Sequence, residues 1–188
     1  LTKNTFIVRS PFDTNFIVDS DNHTLELIPP FVQPNDFFNM RKGHYGDKDQ
    51  PLMSLNFHQI VLTEHEGVEA TITAPWFEED QNDFRVIPGR FMISDWWRPL
   101  DFAMQLRSRK QVVKIKRDEP LFYITISTKD PDDLVVLREI KLTQELNSFL
   151  NIATDSKYYQ PRCPLKTLYG AFKHYIKRGH RPKLEFID

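Results

Sequence analysis

The sequence predicts a mainly β protein: an antiparallel β-sandwich or jelly roll carrying a helical appendage at its C-terminal end. Three observations point there. Runs rich in Val, Ile, Phe and Thr recur at intervals of about 8–12 residues, broken by Pro, Gly and Asp/Asn clusters, as sandwich strands are. Several of them alternate apolar with polar residues, the period of a strand with one buried face. After Pro131 the period lengthens to that of an amphipathic helix. Strands first and helices last divide the chain into a β domain over residues 1–130 and a helical appendage over 131–188.

Taken in order, TFIVR and NFIVD are two short β runs separated by Ser10-Pro11-Phe12-Asp13, and the second ends in the turn cluster Asp19–Asn22. Thr24–Ile28 adds a third. Residues 28–51 carry Pro29, Pro30, Pro34, Pro51, Gly43 and Gly46, which disfavour regular structure. Phe31, Phe37, Phe38 and Met40 make the segment too apolar for a free linker, so an ordered loop is expected, with a helical turn at 35–40 capped by Asn35. Residues 52–74 read as a hairpin turning at His65-Glu66-Gly67, its return strand placing Val68, Ala70, Ile72 and Ala74 on one face.

The stretch 84–128 holds five further strand candidates: FRVI, RFMIS, LDFAMQLR, VVKIK and LFYITIST. In VVKIK, Val113 and Ile115 face inward and Lys114 and Lys116 outward. LFYITIST is apolar on both faces up to Ile126, so it belongs at the centre of a sheet. Residues 134–153 then predict a first helix on the spacing of Leu134, Leu137, Ile140 and Phe149. Residues 165–178 predict a second, with Leu165, Leu168, Tyr169, Phe172 and Ile176 on one stripe and Gly179 as its stop.

Composition bounds the function more than it names it. A chain of 188 residues buries roughly 70% of its extended-chain surface, enough for a core without metal or disulfide. The single cysteine, Cys163, excludes an internal disulfide and a multi-cysteine zinc site, and suits a reducing compartment. A formal net charge of −1 gives no global attraction for nucleic acid or membrane. The apolar runs are far shorter than the roughly 20 residues that cross a bilayer, and LTKNTFIVRS has no continuous apolar h-region. A cytoplasmic protein, with no membrane partner, is the default expectation.

No phosphate-loop, dinucleotide or nucleophile-elbow motif is present. The six histidines include no His-x-His or His-x-Asp pair, the spacing by which one strand gives two facial metal ligands. No catalytic residue, metal or cofactor is therefore assigned. Arg162 could lower the pKa of Cys163, but a structural cysteine before a helix is the better reading.

Two features remain. Asp95-Trp96-Trp97-Arg98-Pro99 is the most unusual string: on a strand its tryptophans would face opposite ways, one into the core and one toward the surface. Arg98 could then stack on an indole or pair with Asp95 or Asp101. A binding wall of His58, Arg85, Asp95, Trp96, Trp97 and Arg98 competes with a plain aromatic corner. The other feature is charge. Arg107, Arg109, Lys110, Lys114, Lys116 and Arg117 line a predicted hairpin, and the tail carries Lys166, Lys173, Lys177, Arg178, Arg181 and Lys183 with no acid between Asp155 and Glu185. Such a tail could hold phosphates of a nucleic acid, contact an acidic protein, or be the solvated face of a docked helix.

The elements Ala74-Pro75-Trp76, Pro88–Phe91, Asp95–Pro99 and Val113–Leu121 together resemble an uncharacterised family of tailed-phage and marine bacterial proteins, over residues 55–127. Asp118 stands where that family usually has Gly. The closing strand-turn-strand also resembles trimeric dUTPase-type jelly rolls, but their catalytic Asp and Tyr motif is absent, so only the fold is implied. The resemblance implies a phage or marine microbial source, in the host cytoplasm or the virion, and carries no reaction. Three functions follow as expectations: a non-enzymatic module acting through protein contact or self-association, a small-molecule binder or enzyme near Trp96–Arg98, and a nucleic-acid accessory using the basic tail.

Overall fold

The computed structural model describes residues 2–19, 24–27, 38–40, 52–55, 59–76, 83–100, 102–159 and 163–187. It is mainly β, with antiparallel pairing and two helices toward the C-terminal end, the class that the sequence predicts. The strands are β1 (Thr5–Arg9), β2 (Thr14–Asp19), β3 (Thr24–Leu27), β4 (Phe38–Met40), β5 (Leu52–Leu55), β6 (Glu69–Thr73), β7 (Phe84–Ile87), β8 (Gly89–Met92), β9 (Phe102–Leu106), β10 (Lys110–Ile115) and β11 (Pro120–Ser127). They order as β1-β11-β6-β8, β10-β2-β3 and β4-β5-β9-β7.

The burial alternation justifies these strands locally. In β10, Val113 and Ile115 are buried while Lys114, and Lys116 just past the strand, are exposed, as the sequence predicts. In β6, Ala70 and Ile72 are buried between half-buried neighbours. β11 buries Leu121, Phe122, Tyr123 and Ile124 in succession, and it has a strand on each side. A strand flanked on both edges with both faces covered has no polar face to keep, which is why its sequence does not alternate.

Pairing is where expectation and structure part. β5 and β6 lie in different sheets, so the hairpin expected over 52–74 does not form. β5 instead pairs β9 and β4, and the His65-Glu66-Gly67 turn joins strands of separate sheets. Nor do Arg107–Arg117 line a hairpin, because β9 and β10 also belong to different sheets, as do β10 and β11. Alternation reports which face of a strand is buried; it carries no information about the partner. Phe38–Met40 form β4 rather than part of a helical turn; Asn35 and most of residues 28–51 lie outside the described residues.

The chain falls into two compact units. The first comprises Leu1–His58, Thr71–Arg90 and Asp101–Thr125; the second comprises Gln59–Ala70, Phe91–Leu100 and Ile126–Asp188.

In the first unit β1 pairs β11 and β2 pairs β10, so two adjacent links pass between the same two sheets. Ser10 N–H donates to Glu119 C=O at 2.9 Å, and Asp118 N–H donates to Ser10 C=O at 2.9 Å. Arg117 N–H donates to the Asp13 carboxylate at 2.8 Å. Asp118 takes a left-handed φ of 65° there, the conformation that a Gly adopts most easily. Phe16, Val18, Val113, Ile115, Met53 and Met104 are buried in this unit.

The second unit holds α1 (Gln144–Tyr159) and α2 (Leu165–Tyr175), the latter running into a π-helical turn at Ile176–His180. Helix α1 is capped by Thr143, the residue before it, whose Oγ1 accepts from Leu146 N–H at 3.2 Å, with Glu145 in the favourable first turn. Leu146, Phe149, Leu150 and Ala153 then share the buried face at helical spacing. The expected first helix therefore starts ten residues too early: residues 133–139 contain neither helix nor turn, and Ile140 makes an antiparallel bridge to Phe186. The β-branched Val135 and Val136 oppose helix, and backbone bonds to residues 185–187 compete for the segment. The second helix is as predicted, burying Leu168, Phe172 and Ile176. Gly179 at φ 85° ends it.

Candidate functional site

Asp95–Arg98 is not a strand. It follows a turn at 93–95, and both indoles are buried, Trp96 at 2% and Trp97 at 0% exposure. The expectation that one would face the surface is overturned, because the strict face alternation of a strand does not apply at a turn. Each indole can be buried because its N–H has a partner. Trp96 Nε1 donates to Ala153 C=O at 3.1 Å, and Trp97 Nε1 to Thr63 C=O at 3.2 Å. Trp96 stacks on Phe172 with ring centres 5.6 Å apart and meets Tyr169 edge-on at 5.0 Å; Trp97 meets Phe149 at 5.7 Å. These rings and the helix residues form one apolar cluster, with Cys163 packed against it.

Arg98 is buried with its guanidinium over Trp96 at 4.8 Å and over Phe91 at 4.9 Å, and it donates to Pro99 C=O at 3.1 Å. Stacking on an indole is thus realised. Asp95 takes another partner: Lys173 Nζ stands 3.0 Å from its carboxylate, which also accepts from Ser94 Oγ at 3.2 Å. Ser94 Oγ in turn accepts from Gly67 N–H at 3.2 Å. Of the other candidates, Arg85 is exposed on β7 in the first unit, and His58 lies outside the described residues.

The basic tail is spent in part on its own unit. Besides Lys173, Lys177 pairs with Glu66 at 3.6 Å. Arg181 donates to Glu64 C=O at 3.1 Å and lies over Trp97 at 5.2 Å. Lys166, Arg178 and Lys183 are exposed. Sequence charge alone could not show this, because the acids that meet the tail lie more than 70 residues away in the chain.

A concave feature of the second unit lies elsewhere. A groove of about 810 Å³ runs beneath residues 133–140, lined by Ile60, Leu62, Val68, Ile93, Val135, Leu137 and Leu184, with Glu64, Lys129 and Asp133 among its polar residues. The strap over it exposes Leu134 at 80% and Val136 at 79%. Leu137, Leu142, Phe186 and Ile187 are exposed too. Arg138 covers one face of Phe186, its guanidinium 4.2 Å from the ring centre. None of the groove residues was among the sequence candidates. Their signal was present as Leu134-Val135-Val136-Leu137, an apolar run too β-branched for a good helix, but helical spacing absorbed it.

Among the described residues no three His, Cys, Asp or Glu side chains stand close enough to hold a metal ion, and no helix is long and apolar enough to cross a membrane. Compared with protein-family models, curated proteins and solved structures, the chain matches none.

Proposed function

We propose that this is a non-enzymatic interaction protein, of the phage or marine microbial kind its sequence resembles, and that it works through the apolar strap of its second unit. The observation that carries this is the exposure of Leu134 and Val136 on a segment free of helix and turn, with Leu137, Phe186 and Ile187 exposed as well. A strip of large apolar side chains left in water is the composition of a contact surface. Charged side chains border it at Asp132, Arg138, Glu139 and Lys141, the apolar centre and polar rim of a protein interface. The Trp96–Arg98 reading has less behind it, since both indoles are spent on the core. The nucleic-acid reading is weakened by the acids and carbonyls that already engage Lys173, Lys177 and Arg181.

A second reading, a small apolar ligand in the groove, is favoured by one observation: its volume lies in the range of ligand pockets. A photo-crosslinking side chain placed at position 136 in the cell separates the two. A discrete protein adduct identified by mass, absent when the same group replaces the exposed Ser148 of α1, supports the contact surface. No adduct, together with a thermal upshift by apolar small molecules, would replace it with the ligand reading.

A further inference from the structure

We propose that residues 134–138 are a hinged wall of the groove: a flap that lifts between two pinned ends and opens the apolar floor to solvent. The motion needs no partner and is therefore independent of the contact surface above. On the N-terminal side, Asp133 N–H donates to Asp130 C=O at 3.2 Å and Asp132 N–H to the Asp130 carboxylate at 2.9 Å. Thr128 Oγ1 donates to Asp130 C=O at 2.6 Å. Just before this turn the Lys129 stem lies across Gly67, where an added Cβ would come within 2.6 Å of Lys129 Cε. On the C-terminal side, Lys141 N–H donates to Glu185 C=O at 2.7 Å and Ile187 N–H to Glu139 C=O at 3.1 Å. Lys141 Nζ also stands 3.4 Å from the Glu185 carboxylate.

The middle is held far less. Leu134, Val136, Leu137 and Arg138 make no backbone bond to any described residue; Val135 is engaged and half-buried. None of residues 134–138 is buried, so lifting them uncovers little of their own apolar area and breaks few bonds. Segments of that kind open locally at small cost. Arg138 clasps the Phe186 ring at 4.2 Å, but an exposed contact of this type is weak. The facing walls are of another kind. Val68 and Ile93 are 6% and 3% exposed, and Ile60, Leu62 and Leu184 pack against the tryptophan cluster. A fixed apolar floor with one loosely held wall is the construction of a gate. Access to that floor is thus set by the strap and not by unfolding of the unit.

Thiol labelling of the full 188-residue chain by iodoacetamide reads the motion. In a Cys163→Ala background, Val68→Cys places a thiol on the groove floor. Leu150→Cys places one in the tryptophan–helix cluster, which only unfolding of the unit exposes. The Val68→Cys chain is expected to react at least about tenfold faster than the Leu150→Cys chain, because a local opening is more populated than the global one. Ile187→Pro removes the N–H that holds Glu139 C=O. It should speed labelling at position 68 at least about threefold and leave position 150 unchanged. A smaller ratio between the two positions overturns the proposal, as does labelling at 68 that is indifferent to Ile187→Pro. Amide exchange gives a readout free of engineered thiols: Val136, Leu137 and Arg138 should exchange at least about 100-fold faster than Lys141 and Ile187. Protection at 136–138 equal to that of Lys141 overturns it too. A crosslink from position 136 with slow labelling at 68 removes the flap and leaves the contact surface; fast labelling with no adduct does the reverse.

Discussion

Two apolar segments of the second unit met opposite fates. Trp96-Trp97 carries two indole N–H groups that must find acceptors, yet it is fully buried; Leu134–Leu137 carries no polar side-chain atom, yet it is largely in water. Hydrophobicity therefore does not rank them. What separates them is available company. Two helices bring Phe149, Ala153 and Phe172 to the tryptophans, along with a carbonyl acceptor for Trp96. The strap meets residues 185–187 through backbone bonds of Glu139 and Lys141, and its Leu134 and Val136 side chains stay in water. A core absorbs side chains from several directions; an edge segment can present one face only.

Substitutions sharpen that contrast in descending order. Trp97→Ala should cost about 3–5 kcal/mol by urea titration, combining lost transfer energy with a cavity. Leu146→Ala, on the buried face of α1, should cost about 2–5 kcal/mol by the same measurement. A value under about 1 kcal/mol for either would mean that the tryptophan–helix cluster is not a working core. Gly179→Ala is expected to cost about 1 kcal/mol. Nothing lies within 4 Å of the added Cβ, so the penalty is that of φ 85° alone, and Asn there should recover part of it. At the bottom, Leu134→Ser with Val136→Ser should change stability by no more than about 0.5 kcal/mol per site while abolishing any association through the strap. A larger loss of stability would show that the strap packs on its own chain.

The strands were legible because period-2 patterning is local: the residues of β10 state their own buried face, and the apolar faces of β11 state its central place. The strap was misread for the same reason. Leu134, Leu137 and Ile140 fall at helical spacing, and nothing within the window reveals that residues 185–187 compete for their backbone. Nor could the tail's charge be read from composition, because Asp95 and Glu66 meet Lys173 and Lys177 across the fold.

By itself, then, the sequence determined the mainly β class, most strand positions, the second helix with its glycine stop, and the lack of a recognisable reaction motif. Only the tertiary structure decided that β5 and β6 part company, that both tryptophans are core, that α1 begins after Thr143, and that an apolar strap lines a groove. The physical reason is range. Face and period are set by neighbours a few residues apart, whereas pairing, burial of a turn and the partner of a charge are set by segments that meet only after the chain has folded.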